Sequence, residues 1–103
     1  MEIAPSRNGV PVRPTEATWN HIFDRHPEMR WHRWRVLGAV ADPDVIQRGD
    51  YGARIAARHY NQPPVANLYV VAVYREVEAT DGFVITAYLA RRLSERREVL
   101  WTR

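Results

Sequence analysis

Leu68 to Val77 constrains the fold more than any other stretch: it is dense in β-branched and aromatic residues and apolar on both alternating faces. Such a run predicts a central strand, covered on both sides for at least part of its length. The longest apolar stretch, Ala66 to Tyr74 with Asn67 inside it, falls far short of the roughly 20 residues of a bilayer-spanning helix. A transmembrane helix is excluded.

Two helical patterns precede this strand. Thr15 or Thr18 can cap the first, and Trp19, Ile22, Phe23 and His26 recur at i, i+3, i+4 and i+7, the spacing of one buried stripe. The spacing predicts a helix over about Glu16 to Arg25, stopped by Pro27, because the residue before a proline is driven out of the α region. A second pattern starts near Glu28, with Trp31, Trp34, Leu37 and Ala41 along one side and Val36 and Val40 beside them. Asp42-Pro43 ends it.

Short strand patterns follow at Val45-Ile46, Ala53 to Tyr60 and Phe83 to Leu89, separated by turn-forming Gly49 to Gly52, Asn61 to Pro64 and Asp81-Gly82. Residues 1 to 15 read as an extended lead-in, with Pro5, Pro11, Pro14 and an Asn8-Gly9 turn. Trp101 is expected to dock on the core, with the charges of Arg91 to Arg103 around it solvated. The expected fold is α+β: two N-terminal helices packed on an antiparallel sheet of about four strands, in a single domain over 16 to 103.

Composition narrows the chemistry. At 103 residues with 46% hydrophobic and 26% charged residues, the chain suits one folded domain rather than a disordered tail. It has no cysteine, so disulfides, thiolate nucleophiles and cysteine-ligated metals are excluded. All fifteen basic residues are arginine, which removes lysine Schiff bases and leaves guanidinium groups suited to phosphate oxygens. The formal charge of +3 does not by itself mark a nucleic-acid binder. The first ten residues lack the apolar core of a secretory signal, so a cytoplasmic location is expected.

Candidate chemistry gathers at the end of the first helix. His21 and Arg25 are one turn apart, so a proton carrier sits beside a phosphate clamp. His26 lies within the apolar stripe, where a histidine serves equally as a core residue held by a backbone carbonyl. Glu28 suits a helix cap or an ion pair with an arginine. His21 and His26 are five apart, and Pro27 separates His26 from Glu28, which does not match a helical metal pair; no metal or cofactor is expected.

In the strands, alternation puts Arg54, Arg58 and Tyr60 on one face of Ala53 to Tyr60. In Phe83 to Leu89 it sends Phe83, Ile85, Ala87 and Leu89 to the core and Thr86 and Tyr88 to a face shared with Arg58. A cleft holding those groups has the parts of a metal-independent ribonuclease: histidine for acid and base, arginine for the phosphorane.

The blocks WNHIFDRHPEM (19 to 29), ADPDVI (41 to 46), ARHY (57 to 60), LYVVAVY (68 to 74) and GFVITAYLARR (82 to 92) resemble a phage- and prophage-associated branch of the barnase/EndoU/colicin/RelE-like nucleases. The resemblance covers roughly residues 16 to 101. It implies RNA cleavage as a toxin or phage effector, RNA as partner, and an antitoxin or immunity protein as the second partner of such a toxin. Carried over by position, it makes His21, Arg25 and His26 the helix-borne site residues, with Arg58 and Tyr60 on one strand and Thr86 and Tyr88 on another; together with the reading of the residues, His21, Arg25, His26, Arg58, Thr86 and Tyr88 are the expected catalytic set, and Arg54, Tyr60 and Glu28 are expected to bind substrate. The alternative is a noncatalytic RNA- or protein-binding module using the arginine face.

Overall fold

The computed structural model describes residues 2–103; Met1, the first residue of the expected lead-in, lies outside the described residues. Helix α1 (Glu16–Arg25) begins where the Thr15 side chain accepts from the Thr18 N–H at 3.1 Å, satisfying one free donor of the first turn. It ends at His26, before Pro27, and buries Trp19 and Ile22. A short 3-10 helix (Pro27–Trp31) follows, and helix α2 (Arg33–Ala41) starts only after His32.

That break changes which side of the second helical region is covered. The buried apolar residues are Met29, Val36, Ala39 and Val40, with His32 buried between them, whereas Trp31 and Trp34, expected to line the core, are 81% and 62% exposed. The tighter winding of the 3-10 turn puts Trp31 out of phase with α2. Small and branched residues then meet the sheet.

The strands are β1 (Ala4–Pro5), β2 (Pro11–Arg13), β3 (Val45–Arg48), β4 (Arg54–Tyr60), β5 (Leu68–Glu78), β6 (Asp81–Ala90) and β7 (Val99–Thr102). They form one curled seven-stranded sheet in the order β1-β2-β6-β5-β4-β3-β7, antiparallel except for the parallel β2–β6 pair. This corrects the expected two helices on a four-stranded antiparallel sheet: the protein is mostly β, and the sheet is larger and mixed. The strands outside that expectation, β1, β2 and β7, are two to four residues long, too short for alternation to declare them. Proline in β1 and β2 also argues against strands, but both lie at one margin of the sheet, where a missing N–H is tolerated.

Strand β5 holds the middle of the sheet, as its composition predicts. Val70 and Ala72 face both helices in the main core with Trp19, Ile22, Val36, Val40, Ala56 and Tyr74, and burying an aliphatic side chain of this size stabilises by about 1.5–3 kcal/mol. Val71 points the other way, into a smaller cluster with Ile55 and Ala57 under Leu93. The segment between β6 and β7 lies over this second face, held where Gln47 donates to the Ser94 carbonyl at 2.7 Å.

Register decides the faces of β6. Val73 pairs with Thr86 but Tyr74 pairs with Val84, so Ile85 is an extra residue in a β-bulge. Alternation reverses there. Val84 and Ala87 are both buried on the helix side, while Phe83 and Ile85, expected in the core, are 40% and 37% exposed.

One side chain bridges the two margins of the sheet. Arg7, between β1 and β2, places its guanidinium 4.3 Å over the ring of Trp101 in β7. Trp101 packs against the main core as expected, but as part of a strand paired with β3.

Candidate functional site

The fold divides the sequence-predicted residues between two faces. His21 and Arg25 are exposed on α1, and Glu28 is exposed on the short helix. His26 is half-buried at the end of α1, with Nδ1 3.9 Å from a Glu28 carboxylate oxygen. Its ring lies 5.7 Å from that of Tyr88, centroid to centroid, at 39°. Thr86 and Tyr88 pair with Val73 and Val71, so both hydroxyl side chains belong to the face opposite the helices, here the open face.

Arg54, Arg58 and Tyr60 belong to the helix side instead, because their partners across the ladder are Tyr74, Val70 and Leu68. This corrects the single cleft expected to combine Arg58 with Thr86 and Tyr88. The cause is the phase of β4: Ala56 packs in the main core, and Arg58, paired through Val70 with Leu89, shares its side of the sheet. Arg54 pairs with Glu76 at 3.2 Å and Arg58 with Asp42 at 3.4 Å.

On the open face, Tyr88 lines a cavity of about 440 Å³, within the roughly 300–1,000 Å³ range of small-ligand pockets. Its apolar floor comes from Ala53, Ile55, Val73 and Ile85, and Arg75 stands on its wall. The other wall is the turn between β3 and β4, carrying Asp50 and a 92% exposed Tyr51. Arg97, from the segment covering the second face, reaches this turn and donates through both terminal nitrogens to the two Asp50 oxygens, each at 3.2 Å. The Arg97 guanidinium holds the Asp50 carboxyl below the usual carboxylate range, so the rim carries one fixed anion and one fixed cation.

Arg75 makes no ion pair among the described residues and packs along Gly52, whose φ is +83°. A Cβ at position 52 would stand 3.1 Å from an Arg75 nitrogen. Arg75, Arg97, Asp50 and Tyr51 were not singled out by motif. A signal existed for Arg75: alternation along β5 puts it with Val71 and Val73, a lone cation on an apolar row.

The helix side carries a different arrangement. The Arg35 guanidinium lies 4.1 Å over the Trp34 ring and 5.8 Å from the Tyr60 ring, and Arg58 lies 5.4 Å from Tyr60 on the same side. Burial raises the Tyr60 phenol above its ordinary value, opposed by these two arginines. Among the described residues no group of three or more His, Asp or Glu side chains is placed to hold a metal ion, and no helix is long and apolar enough to cross a membrane.

Comparison with protein-family models, with curated proteins and with solved structures finds no match for this chain.

Proposed function

We propose that the chain is a metal-independent endoribonuclease acting in the cytoplasm, with its site on the open face of the sheet. The observation that carries this reading is that the His26 ring lies 5.7 Å from Tyr88, which lines a cavity whose wall holds the unpaired Arg75. Support also comes from the RHPE and ITAY blocks, which resemble those of phage-associated nucleases and supply His26, Thr86 and Tyr88.

In this reading His26 removes the proton from an RNA 2'-hydroxyl, whose oxygen forms a bond to the adjacent phosphorus. The P–O5' bond breaks, and a proton returns to the departing 5'-oxygen, leaving a 2',3'-cyclic phosphate and a 5'-hydroxyl. Tyr88 and Thr86 are hydrogen-bond donors beside the reacting phosphate, and Arg75 offsets the charge that builds on its oxygens. The nucleophile belongs to the substrate, which suits a site without thiol or lysine.

The test is incubation with total cellular RNA in excess EDTA, followed by mapping of new ends. Cyclic-phosphate ends are expected from the parent, with a loss of about 10²-fold or more in His26→Ala. Intact RNA with the parent overturns the reading, as does undiminished cleavage by the variant.

A second reading, RNA binding without cleavage, is favoured by the Trp34–Arg35–Tyr60–Arg58 row on the helix side. Alternating rings and guanidinium groups offer stacking surfaces and phosphate contacts to a single strand. Salt-dependent binding of RNA that stays intact, weakened by Trp34→Ala, would favour it.

A further inference from the structure

Helix α2 is apolar on more than the side that meets the sheet. After Arg35 it carries no polar residue until Asp42. Val36, Ala39 and Val40 are buried against the core, while on the opposite side Trp34 and Ala41 are exposed and Leu37 is half-buried. A helix that is apolar all round is one that a second surface covers. Trp31, exposed in the 3-10 turn just before α2, adds a second free indole.

Charge gathers at the head of this stripe. Residues 29–41 contain Arg30, Arg33 and Arg35 and no carboxylate, so they hold the whole formal charge of +3, the other twelve arginines matching the twelve acids. Arg33 meets Glu2 and Glu16 at 3.9 and 3.7 Å. Arg30 and Arg35 make no ion pair among the described residues, and Arg35 instead stacks 4.1 Å over Trp34.

We propose that this stripe, with the arginines at its head, seats the protein on an anionic phospholipid surface, α2 lying along the headgroup layer. Such a leaflet supplies phosphates for the guanidinium groups, an interfacial layer in which indole rings settle, and acyl chains for Leu37 and Ala41. Lying on a bilayer needs none of the length that spanning one does. RNA offers phosphates and bases but nothing aliphatic to cover Leu37 and Ala41. A second copy brings three more arginines to a segment without a carboxylate of its own. The proposal is independent of the ribonuclease reading, because the cavity beside Tyr88 opens on the other face of the sheet and stays in water.

The test is sedimentation of the full chain with vesicles, read together with tryptophan fluorescence. Binding to equimolar phosphatidylcholine and phosphatidylglycerol is expected to exceed that to phosphatidylcholine alone by about tenfold or more, and to weaken as salt is raised. On binding, the emission should move to shorter wavelength and be quenched by lipids brominated on their acyl chains. Arg30→Gln should weaken binding about fivefold, and Trp31→Ala combined with Trp34→Ala about tenfold or more. All three side chains are exposed, so melting temperatures within about two degrees of the parent are expected. Equal binding to both vesicles, binding undiminished in the double variant, or binding without an emission shift each overturns the proposal. So does the absence of vesicle binding. If the double variant then loses affinity for single-stranded RNA, the stripe is an RNA surface; if it abolishes a concentration-dependent dimer, a second copy covers the stripe.

Discussion

The Arg35 guanidinium donates to Nδ1 of His32 at 2.9 Å, across the first turn of α2. His32 is itself buried, and because its Nδ1 accepts from Arg35, the neutral ring carries its proton on Nε2.

Stability should therefore depend on His32 at mildly acidic pH. Burial first, and the Arg35 charge second, lower its pKa below the ordinary histidine value, while Glu28 opposes them weakly. The unfolded chain then takes up a proton at higher pH than the folded one, so stability is complete above about pH 6.5 and falls as the pH drops below it. A melting temperature several degrees lower at pH 5.5 than at pH 7.5 is expected. The drop should shrink in His32→Gln, which can accept from Arg35 without titrating; an unchanged drop would assign it elsewhere.

The division of the arginines between two faces gives a second prediction. Arg75→Ala should slow RNA cleavage by about 10²-fold or more, the scale of losing one charge-stabilising group. Arg58→Ala, on the far side of the sheet, should leave the rate within twofold of the parent. Rates from a fluorescent oligoribonucleotide at fixed salt decide this, and equal losses in both variants would mean that the faces do not act separately.

Asp44 and Arg103 should differ in their effect on stability although they bond to each other at 2.8 Å. The second Asp44 oxygen also accepts from the backbone N–H of His59 at 2.7 Å. Desolvation alone would raise the Asp44 pKa, but the His59 N–H and Arg103 together bring it below the ordinary value. Asp44→Ala strands that N–H, at a cost of about 1–3 kcal/mol, whereas Arg103→Ala removes a half-exposed cation that donates to Asp44, to Asp42 and to the Pro43 carbonyl and leaves no N–H donor stranded. Chemical denaturation should show Asp44→Ala as the less stable of the two, with the parent losing Asp44's contribution only as pH falls below about 4.

Gly82 is expected to resist substitution. It pairs with Val12 across the parallel strands, and a Cβ there would stand 2.9 Å from the Arg75 carbonyl oxygen and 3.2 Å from a Val10 methyl. Gly82→Ala should lower stability by about 1–3 kcal/mol, read as a melting-temperature loss of roughly 4–8 °C per kcal/mol. Gly9→Ala, with nothing within 4 Å of its Cβ, is the control for crowding, its own cost being the positive φ of +79°.

The parts of this fold legible in the sequence are those with long patterns. The run from Leu68 declares a central strand because both its faces are apolar, and Trp19, Ile22 and Phe23 declare α1 because they repeat over two turns and Pro27 ends them. Ile85 hides the arrangement of β6: a single inserted residue leaves the composition of a strand unchanged and reverses every side chain on one side of it. Trp31 and Trp34 mislead for a related reason, since one 3-10 turn shifts the phase of the stripe. His26 and Tyr88, singled out in the sequence, do lie close together, while Arg58 falls on the other face because Ala56, not Ile55 or Ala57, is the residue of β4 that packs in the main core. Asp50 and Arg97 meet only through the path of the segment after β6, which no local pattern carries.

The contact of Arg7 with Trp101 bears on how the open margins of the sheet meet a second copy. A sheet margin with free backbone groups is a template on which another copy can add a strand and begin a polymer. Here one margin is a two-residue strand that ends in Pro5 and the other is a four-residue strand, and Arg7, from the turn after the first, lies against the Trp101 ring of the second. A second copy seeking an edge would first have to part that stack, so Arg7→Ala should leave the fold intact yet raise the rate of aggregation near the melting temperature.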